Sequence, residues 1–145
     1  MKKTIALLSV LVLLFVSTPV GHAASPATTP VKVILNGQQM NFKPGAMVID
    51  GTTMVPFRQL FEAYGAQVSW DQKTQEIKAI KGDFSVTMTL NNYEAFVNGE
   101  RIRLTQAPMM YKNSTMINLR AASEALGAWV VFDKAKMTVN IRMNQ

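Results

Sequence analysis

The sequence predicts an α+β domain: antiparallel and β-rich, with two short helices, built from two copies of a hairpin–helix–strand unit. Three observations predict it. Asn36-Gly37 and Asn98-Gly99 each break an apolar run, which is the strongest short hairpin signal. Residues 56–65 and 118–127 carry helical spacing and end on Gly. These signals share one spacing, since Gly99 minus Gly37 is 62 and no gap is needed to keep that offset. It carries Met54 to Met116, Arg58 to Arg120, Glu62 to Glu124, Gly65 to Gly127 and Asp71 to Asp133. A period this long holds several elements, so it signals duplication rather than a solenoid.

Taken in order, Lys2 and Lys3 precede an apolar run from Ile5 to Val16 and a small-residue exit. That pattern predicts a signal peptide over residues 1–23 and hence a secreted protein. The run is too short to span a bilayer, which needs about 20 apolar residues, so no membrane attachment is expected of the mature chain. Cleavage after Ala23 places small residues at both recognition positions; cleavage after Ala24 would put His22 in one of them. Residues 24–30, "ASPATTP", read as a flexible spacer. A single domain follows over 31–145, its copies spanning 31–80 and 93–142. In each copy a hairpin ("VILNGQQMNF", "AFVNGERIRL") leads to an extended segment and then a helix. Phe57, Leu60, Phe61 and Tyr64 share one helical face. Pro56 suits a first helical position, and Asn118 suits a cap. Strands "AQVSW" and "AWVVF" follow, then turns at Asp71 and Asp133 and a last strand. Between the copies, "FSVTMTL" alternates cleanly before a turn at Asn91-Asn92.

Composition restricts the chemistry. There is no Cys, and the single His, His22, leaves with the signal peptide. Triads and imidazole or thiolate metal sites are therefore excluded. No cofactor, no metal and no enzymatic activity are expected. Without Lys2 and Lys3 the net charge falls from +6 to +4, interspersed rather than clustered, so nucleic acid is not an expected partner.

Few residues remain as candidates for function. Arg58–Glu62 and Arg120–Glu124 stand at i, i+4 and read as structural ion pairs. Asp71 and Asp133 read as turn residues, whose side chains bond backbone two residues on. Met40, Met54, Met88, Met116 and Met137 read as core filling. Trp70 and Trp129 sit in strand patterns that read as buried.

The paired stretches "MVPFRQLFEAYGAQVSWD" and "MINLRAASEALGAWVVFD" resemble the copper amine oxidase N-terminal-like domain, also called the stalk domain. The resemblance covers residues 31–141. It implies an antiparallel sheet wrapped around helix, an accessory module without copper chemistry, and occurrence in secreted or wall-associated bacterial proteins. A signal peptide joined to one bare domain of this kind is also similar to small secreted serine protease inhibitors. The expected partners are thus extracellular serine proteases, with cell-wall polymers as the alternative. An inhibitor would present a rigid loop in extended form to the protease cleft. Met110-Tyr111-Lys112-Asn113 is the first choice, with Lys112 facing the buried Asp of a trypsin-like pocket. Lys81-Gly82 is the second.

Overall fold

The computed structural model describes residues 28–144. The signal-peptide and cleavage-site expectations, including Ala23 and Ala24, lie outside them. The chain runs β1 (Thr29–Pro30), β2 (Lys32–Leu35), β3 (Gln38–Met40), β4 (Met47–Ile49), β5 (Thr52–Pro56), α1 (Phe57–Ala63), β6 (Gln67–Asp71), β7 (Glu76–Lys81) and β8 (Phe84–Thr89). It continues β9 (Glu94–Val97), β10 (Glu100–Arg103), β11 (Met109–Tyr111), β12 (Ser114–Asn118), α2 (Leu119–Ala125), β13 (Ala128–Asp133) and β14 (Thr138–Met143). Strands dominate and the helices are short, so the α+β class stands.

Local chemistry explains the turns. Asn36 and Gly37 have φ of 48° and 84°, and Asn98 and Gly99 have 52° and 85°. With Leu35 opposite Gln38 and Val97 opposite Glu100, both are two-residue turns of the type whose twist matches the flanking strands. Gly65 and Gly127 take the left-handed conformation, and their N–H groups bond Glu62 and Glu124 carbonyls, ending each helix. Asn118 Oδ1 accepts from Ala121 N–H at 3.1 Å, capping α2.

Some expectations need correction. Pro56 is the last residue of β5 and precedes the first helical position, with ψ of 122°. The spacer is not wholly irregular, because Thr29 and Pro30 pair with Val48 and Met47. Met137 is not in a strand; it sits in the turn before β14 with φ of 47°.

Three sheets result, ordered β1-β4-β5-β12-β11, β10-β9-β8-β7-β6 and β13-β14-β2-β3. Every pairing is antiparallel except β14 with β2, which joins the two ends of the described chain. The central contact is β5 against β12. There Val55 faces Ile117, Met54 faces Asn118 and Pro56 faces Met116. Adding 62 to Val55 gives Ile117, so the middle pair joins equivalent positions and the flanking pairs mirror each other about it. A helix leaves the end of each of these two antiparallel strands, so the two helices start at opposite ends of the pair.

Phe57, Leu60 and Phe61 of α1 and Leu119, Ala122 and Ala125 of α2 join the inner faces of the two outer sheets in one core. Each fully buried Leu, Ile or Phe contributes about 1.5–3 kcal/mol. Met47, Ile49, Met54 and Met116 form a second cluster on the central sheet. The helices also share one buried polar contact. Tyr64 Oη lies 2.6 Å from Ser123 Oγ, which itself donates to the Leu119 carbonyl at 2.6 Å. Burial pushes the Tyr64 hydroxyl up to about 12, against the pull of its bond to Ser123.

Two outcomes follow from this packing. Ile117→Ala should lower the urea-derived unfolding free energy by about 2–5 kcal/mol, whereas exposed Lys78→Ala should change it by less than about 0.5 kcal/mol. Comparable losses would contradict the central role of β5–β12. Because the folded pKa of Tyr64 is raised, its contribution is complete below pH 10 and is lost as pH rises from 10 to about 12. Tyr64→Phe should therefore flatten that alkaline limb, by roughly 2–3 kcal/mol at most. An unchanged limb would show that the hydroxyl is not buried.

Candidate functional site

The structure gives Asp71 and Asp133 the turn roles expected of them. Asp71 Oδ1 accepts from Lys73 N–H at 2.8 Å and Thr74 N–H at 3.2 Å. Its bonds to Thr74 and then Lys73 hold the carboxyl below the ordinary range. Asp133 Oδ1 likewise accepts from Lys136 N–H at 3.1 Å. The two residues end strands of different sheets. Among the described residues no group of three or more acidic, His or Cys side chains is placed to hold a metal.

The hairpin β11–β12 carries the first-choice residues. Tyr111 faces Ser114, so Lys112 and Asn113 form a two-residue tip. Their φ values are 46° and 61°. This corrects the expectation of an extended loop: Lys112 has the left-handed backbone of a tight turn, unlike the extended peptide a protease cleft engages. The equivalent tip in the first half, Asp50 and Gly51, has φ of 47° and 77°. Met110 lies two residues before Lys112, within β11, and is 51% exposed. β11 is an edge strand, paired only with β12 among the described strands. The second choice is also a tight turn: Lys81 ends β7 opposite Phe84, and Gly82 turns the chain with φ of 55°.

The Arg–Glu pairs differ. Arg120 lies 3.1 Å from Glu124 and donates to the Val130 carbonyl at 3.1 Å, tying α2 to β13. Arg58 makes no ion pair with Glu62 among the described residues. Its guanidinium instead lies over the Phe57 ring, 5.4 Å from the centroid. The expectation of two matched pairs holds for one.

Two grooves flank the central sheet. One, of 580 Å³, lies between the β4–β5 tip and the start of α2. The other, of 520 Å³, lies between the β11–β12 tip and the start of α1. They follow one plan: Thr52 and Ser114 at the tips, Arg120 and Arg58 at the helix starts, Phe132 and Trp70 on the strands. Each groove is made from both halves of the chain, because β5–β12 pairing sets each tip beside the other half's helix.

Of the two tryptophans expected to be buried, Trp70 packs partly buried against the core and Trp129 does not. Trp70 is half-buried; its Nε1 donates to Gln72 Oε1 at 3.0 Å, and its ring lies 6.3 Å from that of Phe57. Trp129 is 69% exposed on the outer face of the four-stranded sheet, opposite Arg142. The run "AWVVF" hides which face turns inward. The repeat holds the missed signal: 62 residues upstream of Trp129 and Val131 stand Gln67 and Ser69, both polar.

The family model described as copper amine oxidase N-terminal domain matches residues 34–141. No curated protein is similar enough to count as a match. For the copper in the family's name the described residues offer neither imidazole nor thiolate. On the extent of that match, the chain belongs to the copper amine oxidase N-terminal domain family, an accessory and non-catalytic module.

Proposed function

We propose that the chain is a secreted, non-enzymatic binding protein that inhibits extracellular serine proteases through edge strand β11. The observation that carries this is the placement of Met110: extended, on an edge, and 51% exposed. Protease clefts hold extended peptides partly by backbone strand addition, with side chains filling pockets. An edge strand stiffened by a two-residue tip supplies that geometry with little ordering cost. Lys112 does not, because its backbone is left-handed. The specificity contact therefore moves from Lys112 to Met110. An apolar slot accepts Met, whereas the buried Asp of a trypsin-like pocket calls for Lys or Arg.

The test is an inhibition assay with residues 24–145 against chymotrypsin, subtilisin and trypsin. The first two should be inhibited at micromolar excess, and trypsin at least tenfold less. Met110→Asp should weaken inhibition at least tenfold, whereas Lys112→Ala should leave it within about twofold. No inhibition of any of the three would end the proposal; selective loss in Lys112→Ala would return the contact to the tip.

A second function, binding to cell-wall or other polysaccharide, is favoured by Trp129. An indole this exposed, opposite Arg142 and beside Val131, which itself faces Asn140, is a flat apolar platform bordered by hydrogen-bonding groups. Retention on purified peptidoglycan supports this function, and an unbound supernatant at low salt removes it.

A further inference from the structure

The two grooves share a plan, so what differs between them is informative. In the larger, Arg120 is paired with Glu124, an acidic side chain that also lines the groove, and Arg103 lies over the Tyr93 ring. The floor there is aliphatic, with Ile102, Leu104 and Val139. In the smaller, Arg58 has no carboxylate partner among the described residues, and no acidic side chain lines the groove. Its walls carry neutral hydrogen-bonding groups, among them Gln72, Gln75, Asn113 and Ser114. Its apolar surface is Trp70 together with Pro56, Phe57, Leu90 and Met110, and the indole is held by the bond from Nε1 to Gln72 and by contact with Phe57. That bond occupies Gln72 Oε1 and leaves the amide N–H groups as donors.

An oriented indole, a set of neutral amides and hydroxyls, and one uncompensated guanidinium together match one ligand chemistry. A pyranose ring offers an apolar face for the indole. Its hydroxyls exchange hydrogen bonds with amides and hydroxyls. A carboxylate on the sugar takes the planar fork of Arg58. The volume of 520 Å³ suits a small ligand or a short oligosaccharide segment. A purely apolar ligand would leave the polar walls unpaired. We propose that the Trp70 groove binds a carboxylate-bearing saccharide, a site distinct from Trp129. The proposal rests on the polysaccharide-binding function above and names its ligand and site.

The experiment is calorimetric titration of residues 24–145 with three probes, followed also by tryptophan fluorescence. The probes are a homogeneous uronic-acid oligosaccharide, its neutral carboxyl-reduced counterpart, and soluble wall fragments bearing muramic acid. At least one acidic probe should bind, and the neutral oligosaccharide at least tenfold more weakly than the uronic acid it derives from. Which acidic probe binds more tightly identifies the source, an acidic polysaccharide or the wall. Trp70→Ala and Arg58→Gln should each weaken binding at least tenfold with the urea midpoint of Arg58→Gln unchanged. Arg120→Gln should leave binding within twofold. Equal affinity for acidic and neutral probes overturns the proposal. So does loss of binding in Trp129→Ala with Trp70→Ala unaffected, which leaves polysaccharide binding itself standing. Absence of binding to any probe, with peptidoglycan retention intact, again removes only the groove. Absence of both removes the function and the groove together.

Discussion

The pairing of β5 with β12 is the contact on which the rest of the structure depends. Val55 and Ile117, both fully buried, face each other at its centre. From that pair outward the chain has little freedom. Each strand runs directly into a helix, at Phe57 and at Leu119, so fixing the strands fixes where the helices begin. The helices then meet at Tyr64 and Ser123, and their apolar faces close the core against both outer sheets. The parallel pairing of β2 with β14 ties the two ends of the described chain into the same body.

This constraint also decides what the surface is made of. Each hairpin tip stands beside the helix start of the other half, so neither groove belongs to one half alone. The same backbone plan then carries different side chains. Asp50 and Gly51 become Lys112 and Asn113 at the tips. One Arg is spent on Glu124 and on a β13 carbonyl, while the other lies over Phe57 without a carboxylate. Shared residues build the scaffold and divergent ones distinguish its two sides. That is why the Asp and Arg–Glu signatures explain folding better than function.

Much of the fold was legible from local rules. Asn-Gly pairs need left-handed φ at two successive positions, and they have it. Gly65 and Gly127 end helices for the same reason, and Asn118 caps one because its short side chain reaches Ala121 N–H. What failed to show was the outcome of competition between faces. "AWVVF" is apolar throughout, and only the sheet decides that Ala128 and Val130 face the core while Trp129 and Val131 face out. Comparison with Gln67 and Ser69 would have revealed it. The backbone of Lys112 was hidden differently. Lys and Asn form a tight turn here because the strand register leaves only two residues to reverse the chain, a constraint that composition does not state. Arg58 and Glu62 have the right spacing, yet the ring of Phe57 holds the guanidinium instead.

Native-state hydrogen exchange tests the interlocked architecture most directly. The interlock predicts that hydrogen-bonded amides in β5 and β12 exchange only through global unfolding. It also predicts that amides in β7 and β14, one from each outer sheet, report that same free energy. Two separate exchange energies, one for residues 31–80 and another for 93–142, with β5 and β12 opening early, would contradict it.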